Sequence, residues 1–485
     1  MANSVIEQQP LEATLPVGQE IIFVVSNSTA VANQLKVKFI AEVHIGSTPI
    51  NLSSADNLIA TFKTTPNNAG VGIFDFKNIV ENYVSSDNMA SVGSKYKTTT
   101  TSDNDRHSLH IINQFSKGSN ALRFLAIQFK VEFLGATDGA GNQDDNLVAT
   151  QTGTAANSDP YILFNGYLKH TDVLKMGTIA NNNAADFGFD MSGFEFGSTS
   201  KKFLTNAPTT QYANIEDYGT LAFLQTSSSL STKVNDILIT YYSSAGASLG
   251  TDTITKEVAT GAYPVSAFFW LQDVSRFLLY FGCFPANLRG DTTNTFTSLV
   301  TAGTIQGGYY TVVARDATPT ATSDTYTINL NCPNLKGYES IRLCWLNQWG
   351  VWDYYTFTQK STKSITTQGS TYTQLEGTWN DSKYRLDSYR GGKKTFTRNA
   401  TERITVNTDY ISVDDNTMLE ELINSPEVYL LDGFQTDATN AALNQYVTPV
   451  RLTTSSFTRK TIANDKLIQY TFEIEKSKTL RTQSI

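Results

Sequence analysis

Charge is scarce in this chain. Asp, Glu, Lys and Arg make up 17% of its 485 residues, against about 25% in ordinary soluble domains. Ser, Thr, Asn and Gln fill the exposed positions instead, which suits Thr-faced strands and frequent turns. It also suits surfaces that identical neighbours will cover, where unpaired charge is costly to bury. The formal net charge is −8, from 37 basic and 45 acidic residues, and no basic block stands out. Duplex grooves and single-strand channels need clustered Lys and Arg, so no nucleic-acid binding is expected. The nearest candidate, Tyr389-Arg390-Gly391-Gly392-Lys393-Lys394, reads as a short hairpin turn with a structural or interfacial role.

Cysteine is nearly absent too. Cys283, Cys332 and Cys344 are too few and too widely spaced for a disulfide framework or a zinc ribbon, and buried thiols are expected. Long apolar runs are missing: the richest stretch, 268–284, is broken by Gln272, Asp273 and Arg276. It falls short of the ~20 residues a membrane span needs and reads as a buried strand or helix pair. The first residues, Met1-Ala2-Asn3-Ser4-Val5-Ile6-Glu7, lack the basic and apolar parts of a secretory signal.

Catalytic patterns fare no better. Gly246-Ala247-Ser248-Leu249-Gly250 matches a nucleophile elbow, but that elbow needs a strand, a strained turn and then a helix. Here Thr251-Asp252-Thr253-Ile254-Thr255 follows and is β-like, so Ser248 reads as a turn residue. The four His are His44, His107, His110 and His170. His107 and His110 stand beside Asp103 and Asp105 but lack the Glu of a zinc-protease motif, and a solvated loop is expected. Asp138, Asp144 and Asp145 could offer oxygens to Ca²⁺, yet their spacing does not match an EF-hand loop. Asp353 and Glu376 are possible glycosidase carboxylates that sequence alone cannot pair across a cleft. There is no P-loop and no dinucleotide fingerprint, so no cofactor, no metal and no catalytic residue is expected.

What is present is strand pattern. Hydrophobic residues are 40% and aromatics 11%, enough for real cores. Apolar residues alternate with polar ones at Leu35, Val37, Phe39, Ala41, Val43 and Ile45, and again over 125–133, 310–314, 326–330 and 468–474; this is the period of a half-buried strand. A hairpin is predicted across the Ser/Ala/Gly turn after Tyr242. A short helix is expected over 77–85 and another over 414–424, capped by Asp414 or Asp415 and stopped by Ser425-Pro426. Residues 1–15 read as an extended arm, 135–158 as an exposed loop, and 176–205 as a polar connection interrupted by phenylalanines. Length predicts about three domains, drawn at 1–175, 176–365 and 366–485. The fold class is mainly β: several antiparallel sandwich-like domains with a few short helices.

The densest signal is Arg342-Leu343-Cys344-Trp345-Leu346-Asn347-Gln348-Trp349-Gly350-Val351-Trp352-Asp353-Tyr354-Tyr355-Thr356-Phe357, with three of the five Trp. It reads as a β-hairpin turning at Asn347-Gln348-Trp349-Gly350, with Gly350 free to take φ > 0 and the tryptophans acting through packing. The segment resembles a recurrent hairpin in structural tail proteins of tailed bacteriophages, particularly from marine and Bacteroidetes-type hosts. In chain order, the stretch Gly72–Val84, then Phe164-Asn165-Gly166, then 422–430, Pro449-Val450-Arg451-Leu452 and 467–475 are similar to further parts of such proteins. Each motif alone is ordinary core and turn chemistry; their order over most of the chain is what carries the resemblance.

The resemblance implies a virion structural protein of the tail hub, baseplate or fibre-adaptor type, assembled in the host cytoplasm. It implies a cyclic ring of copies contacting neighbouring tube, hub or fibre proteins, and no catalytic residues. On that expectation the arm (1–15) and the loop (135–158) lie across adjacent subunits and become ordered on assembly. The other readings are a host-receptor or glycan-binding tail fibre, a capsid decoration or neck protein, and a polysaccharide depolymerase.

Overall fold

A computed structural model describes residues 3–52, 57–86, 116–117, 120–137, 143–150, 155–167, 169, 193–196, 201–225, 234–255, 278–289, 294–331, 337–378, 381–431, 447–460, 468–478 and 480–484. Strand accounts for 49% and helix for 10%, in five short helices, so the protein is mainly β with sandwich-like packing.

The first region holds two sheets. β1 (Val5–Gln8), β3 (Ile22–Ser26) and β6 (Val71–Asp75) form one, in the order β1-β3-β6. The other runs β2-β11-β8-β4-β5, from β2 (Thr14–Pro16), β4 (Leu35–Gly46), β5 (Leu58–Thr64), β8 (Leu122–Thr137) and β11 (Tyr161–Phe164). β9 (Gln143–Thr150) and β10 (Ala156–Asn157) also pair with β8. The alternating residues of β4 and β8 bury Phe39, Val43, Ile127 and Phe129 against Phe23 and Phe76. Helices α1 (Ser28–Asn33) and α2 (Lys77–Val80) sit at strand ends.

The second region also pairs two sheets. One is β12 (Glu195–Phe196), β14 (Thr220–Gln225), β17 (Leu278–Gly282) and β7 (Ser116–Lys117), in that order. The other is β13-β19-β18-β15-β16, from β13 (Thr210–Ala213), β15 (Asp236–Tyr242), β16 (Ser248–Thr255), β18 (Tyr309–Arg315) and β19 (Tyr326–Leu330). Helices α3 (Pro285–Arg289) and α4 (Thr295–Thr301) connect them.

The third sheet system has eight strands, in the order β21-β20-β24-β25-β26-β23-β22 with β27 beside β23. Its strands are β20 (Ile341–Leu346), β21 (Trp352–Phe357), β22 (Thr362–Gln374), β23 (Gly392–Asn407), β24 (Val428–Leu431), β25 (Val447–Leu452), β26 (Thr471–Lys476) and β27 (Leu480–Ser484). Helix α5 (Asp415–Asn424) covers it. Its N-cap Asp414 makes no side-chain cap bond; instead the Asp415 carboxylate accepts from Ser412 N–H and Oγ, each at 2.9 Å.

The Trp-rich hairpin forms as the sequence predicts, and Gly350 takes φ +73°. Its near-continuous apolar run follows from two-sided burial. Leu343 and Trp345 enter the core with Leu419 and Leu422 of α5, while Cys344, Trp352 and Tyr354 enter the central core. The hairpin therefore belongs to the sheet of the last region, and that sheet crosses the boundary drawn at 365.

Four expectations need correction. Residues 3–15 of the expected arm are woven into the chain: Val5 pairs with Ser26, and β2 runs parallel to β11. The Tyr161 hydroxyl donates to Pro10 O at 2.9 Å between those strands. The expected loop 135–158 contains β9, laddered to β8 from Glu132↔Thr150 to Thr137↔Gln143. A ladder needs only backbone groups, and exposed Val148 shows that this polar strand has little apolar face to betray it. Helix α2 ends at Val80, so the apolar pattern to Val84 belongs to turns. In 176–205, Phe196 and Phe203 are core residues rather than part of a polar connection. Three pairings are parallel, β2–β11, β12–β14 and β13–β19, within the mainly antiparallel design.

Candidate functional site

The sequence candidates for chemistry do not converge. Ser248 opens β16 opposite Tyr242, and a strand rather than a helix follows it. Cys283 and Cys344 are buried free thiols whose pKa burial pushes up. His44 is buried on β4. Asp103, Asp105, His107, His110, Asp138, His170 and Cys332 lie outside the described residues, and Asp144 and Asp145 stand on β9. Among the described residues no group of three or more His, Cys, Asp or Glu is placed to hold a metal ion. Asp353 is sealed behind the Trp hairpin whereas Glu376 is exposed, so the two share no cleft.

Asp353 has a different neighbour. Its carboxylate accepts from Thr205 Oγ1 at 2.5 Å, and Glu421 on α5 accepts from Asn206 Nδ2 at 2.5 Å. Asn206 Nδ2 also donates to Gln348 Oε1 at 3.0 Å, tying the hairpin turn to α5. Lys169 Nζ stands 4.0 Å from Glu421. Burial pushes the Asp353 carboxyl up to about 6; burial, then the charge of Asp353, pushes Glu421 up to about 8. Both residues are almost without exposure, so the pair is closed to a substrate. The sequence held one signal for Glu421: it stands three residues after Met418, on the helix's apolar face.

A second buried cluster fastens the hairpin to the central region. Arg342 donates to Tyr218 O and Thr356 Oγ1, both at 2.7 Å, and its guanidinium lies over the Phe284 and Tyr354 rings at 4.8 and 5.2 Å. Thr356 in turn donates to Asp217 at 2.7 Å. At the turn, a Cβ on Gly350 would stand 2.0 Å from Asn165 O, and Tyr167 N–H donates to Gln348 O at 3.1 Å. The aromatic hairpin is thus a keystone between regions, with its polar groups turned inward.

The open surface lies elsewhere. Beyond the ladder with β27, which reaches Thr397, β22 and β23 continue as a two-stranded hairpin out to Gln374 and Gly392. Every β22 side chain but the last is exposed, and none of the described residues between 358 and 399 joins a hydrophobic core. β22 ends the sheet, and its outer edge pairs with no strand among the described residues. Such a strand usually carries Pro, a bulge or inward charge to block edge pairing; β22 has one Lys, at its inner end, and a single register shift after Ser370.

The described residues of this hairpin's tip, 375–378 and 381–391, bond to one another. Thr378 N–H donates to Arg385 O at 2.9 Å, the Tyr384 hydroxyl to Glu376 O at 3.1 Å, and Arg385 pairs with Asp381. Gly377, Gly391 and Gly392 take positive φ to make the bends. It nonetheless presents Leu375 (76% exposed), Leu386 (71%), Tyr389 (72%) and Tyr384 (66%) to solvent. Four large apolar groups so exposed and so close in sequence are uncommon on a protein surface.

One groove of about 570 Å³ lies beside the base of the sheet, where β13, β21 and the segment before α5 meet. Tyr212 and Tyr410 stand on it largely exposed, at 66% and 59%. Asp409, Asp414 and Asp415 line it, and no Lys or Arg does. Burial pushes the Asp415 carboxyl above its ordinary range.

No family model matches this sequence, and no curated protein matches it. Solved structures align weakly. The native conformation of Escherichia coli alpha-2-macroglobulin aligns over 83% of this chain at 8% identity and a TM-score of 0.17, and the match spans 22% of that chain. Drosophila OTK extracellular domains 3–5 align over 83% of this chain and 92% of that one, at 9% identity and a TM-score of 0.16. Scores this low carry no inference about fold or function.

Proposed function

We propose that this chain is a non-enzymatic structural subunit that works by assembly, and that its setting is the tail of a tailed phage, in a hub, baseplate or fibre-adaptor position. The single observation that carries assembly is the two-stranded β22–β23 hairpin: an open edge and an exposed apolar tip with no core of their own. Low overall charge supports the same reading, since it limits the cost of covering surface with neighbours. The phage setting rests on the ordered resemblance in the sequence. A heterologous contact repeated around an axis leaves no free edge when the ring closes, so the subunit forms a closed ring of copies and meets neighbouring tail proteins on the ring's faces.

The test is sedimentation and electron microscopy of the purified protein over a range of concentrations. Closed particles of one copy number support the reading. A strict monomer at every concentration that also fails to pellet with phage tails would contradict it, as would release of reducing sugar from host polysaccharide.

A further inference from the structure

The two-stranded hairpin and the groove differ sharply in charge. Residues 361–400 carry seven Lys or Arg against three Asp or Glu, which leaves 30 against 42 in the rest of the chain. A net +4 hairpin therefore continues from a net −12 body. Two hairpins meeting edge to edge would place like charges together, whereas a hairpin meeting a body would not.

The groove is the body's best receiver. It is concave, acidic and free of Lys and Arg, and it offers tyrosine rings at its edge. β13 on its wall is the edge strand of its own sheet, so backbone groups are open there as well. The far part of the hairpin, residues 375–394, carries Lys383, Arg385, Arg390, Lys393 and Lys394 against Glu376, Asp381 and Asp387, a net +2. Arg385 and Arg390 pair with Asp381 and Asp387 within it, so Lys383, Lys393 and Lys394 supply the excess beside exposed Leu386 and Tyr389.

We infer that the tip of one copy seats in the Tyr212–Tyr410 groove of a second copy, making a head-to-tail contact. This rests on the assembly reading above and deepens it by naming both halves of the interface. Apolar tip residues against the tyrosines supply the dry centre, and Lys against Asp sets orientation and partner. Head-to-tail contacts close into rings when the rotation between copies closes and run on as filaments when it does not, whereas hairpin-to-hairpin pairing would give a two-fold dimer and stop.

Charge reversal on exposed residues tests this without disturbing the fold. Lys383→Glu with Lys393→Glu takes residues 375–394 from net +2 to −2, and Thr210→Lys with Asp414→Lys takes the groove lining from three net negative charges to none. Each pair is expected to raise the dissociation constant of self-association by about tenfold or more, with circular dichroism and melting unchanged. The chain carrying all four changes is expected to assemble better than the one carrying the tip changes alone, because the acidic tip then meets a neutral groove. Leu386→Ser with Tyr389→Ser gives a charge-independent check and is expected to weaken assembly to a similar degree.

If the unaltered protein never self-associates, the assembly reading falls and this inference with it. If it assembles but neither reversal matters, only this inference falls. Sensitivity to Ile365→Pro on the β22 edge, with none to the groove changes, would assign the contact to hairpin pairing and overturn the proposal. Groove changes that abolish retention on immobilised host polysaccharide yet leave assembly intact would make the groove a glycan site, and would overturn it equally.

Discussion

Replacing Trp345 by Ala should remove a large fraction of the protein's stability, and replacing it by Phe should remove little. Trp345 is 0% exposed, in the core that α5 closes. A buried Trp removes about 150–250 Å² from water, worth roughly 4–6 kcal/mol at ~25 cal/mol per Å². Measured Trp-to-Ala losses of about 3–5 kcal/mol agree, against a total of about 5–15 for a domain. Among the described residues the indole Nε1 meets no hydrogen-bond partner. Phe therefore loses volume but also removes a stranded donor, which costs about 1–3 kcal/mol while buried. The Phe variant should stay within about 1.5 kcal/mol of the parent. Urea unfolding of both variants measures this directly. Equal losses for Phe and Ala would refute the reasoning, since they would mean that the indole N–H is bonded. Trp352→Ala should likewise act through folding; a variant that folds normally and loses only receptor or glycan binding would overturn the packing role.

Gly350→Ala should cost more than about 2 kcal/mol in urea unfolding, because φ +73° is strained for a Cβ and that Cβ would fall 2.0 Å from Asn165 O. Arg342→Met should cost about 3–5 kcal/mol, since it leaves Asp217 buried without its cation; a neutral result by thermal melting would show the cluster to be dispensable. Stability should fall as pH rises. Asp353 and Glu421 have folded pKa values raised from 3.8 and 4.5 to about 6 and about 8, so the native state holds more protons than the unfolded one between about 4 and 8. Their contribution is fully present below that window and lost above it. Melting followed across pH in the Glu421→Gln protein should show a flatter profile; an unchanged slope would remove the pair as its source.

Much of the interior was legible because burial on one face writes a period into the sequence. Phe39, Val43, Ile127 and Phe129 alternate because the opposite faces of β4 and β8 are more polar. The Trp hairpin was legible as a hairpin, but not as a wall between two cores, because two-sided burial erases the alternation that would assign it to one region. β22 was missed for the opposite reason: Thr, Ser and Gln on both faces bury nothing, so only backbone pairing with β23 defines it. The groove was out of reach altogether, since it is built from residues 208–212, 354–358 and 409–418, which only the folded sheets bring together. Glu421 carried a helix-face signal; its nearness to Asp353 did not show.

The most direct test of the central claim is a cryo-electron microscopy map of the phage particle with this chain traced in it. The account predicts a closed ring of copies in the tail, with residues 375–391 of each lying on the Tyr212–Tyr410 face of the next. A chain found as an isolated monomer in the particle, or absent from it, would contradict the account.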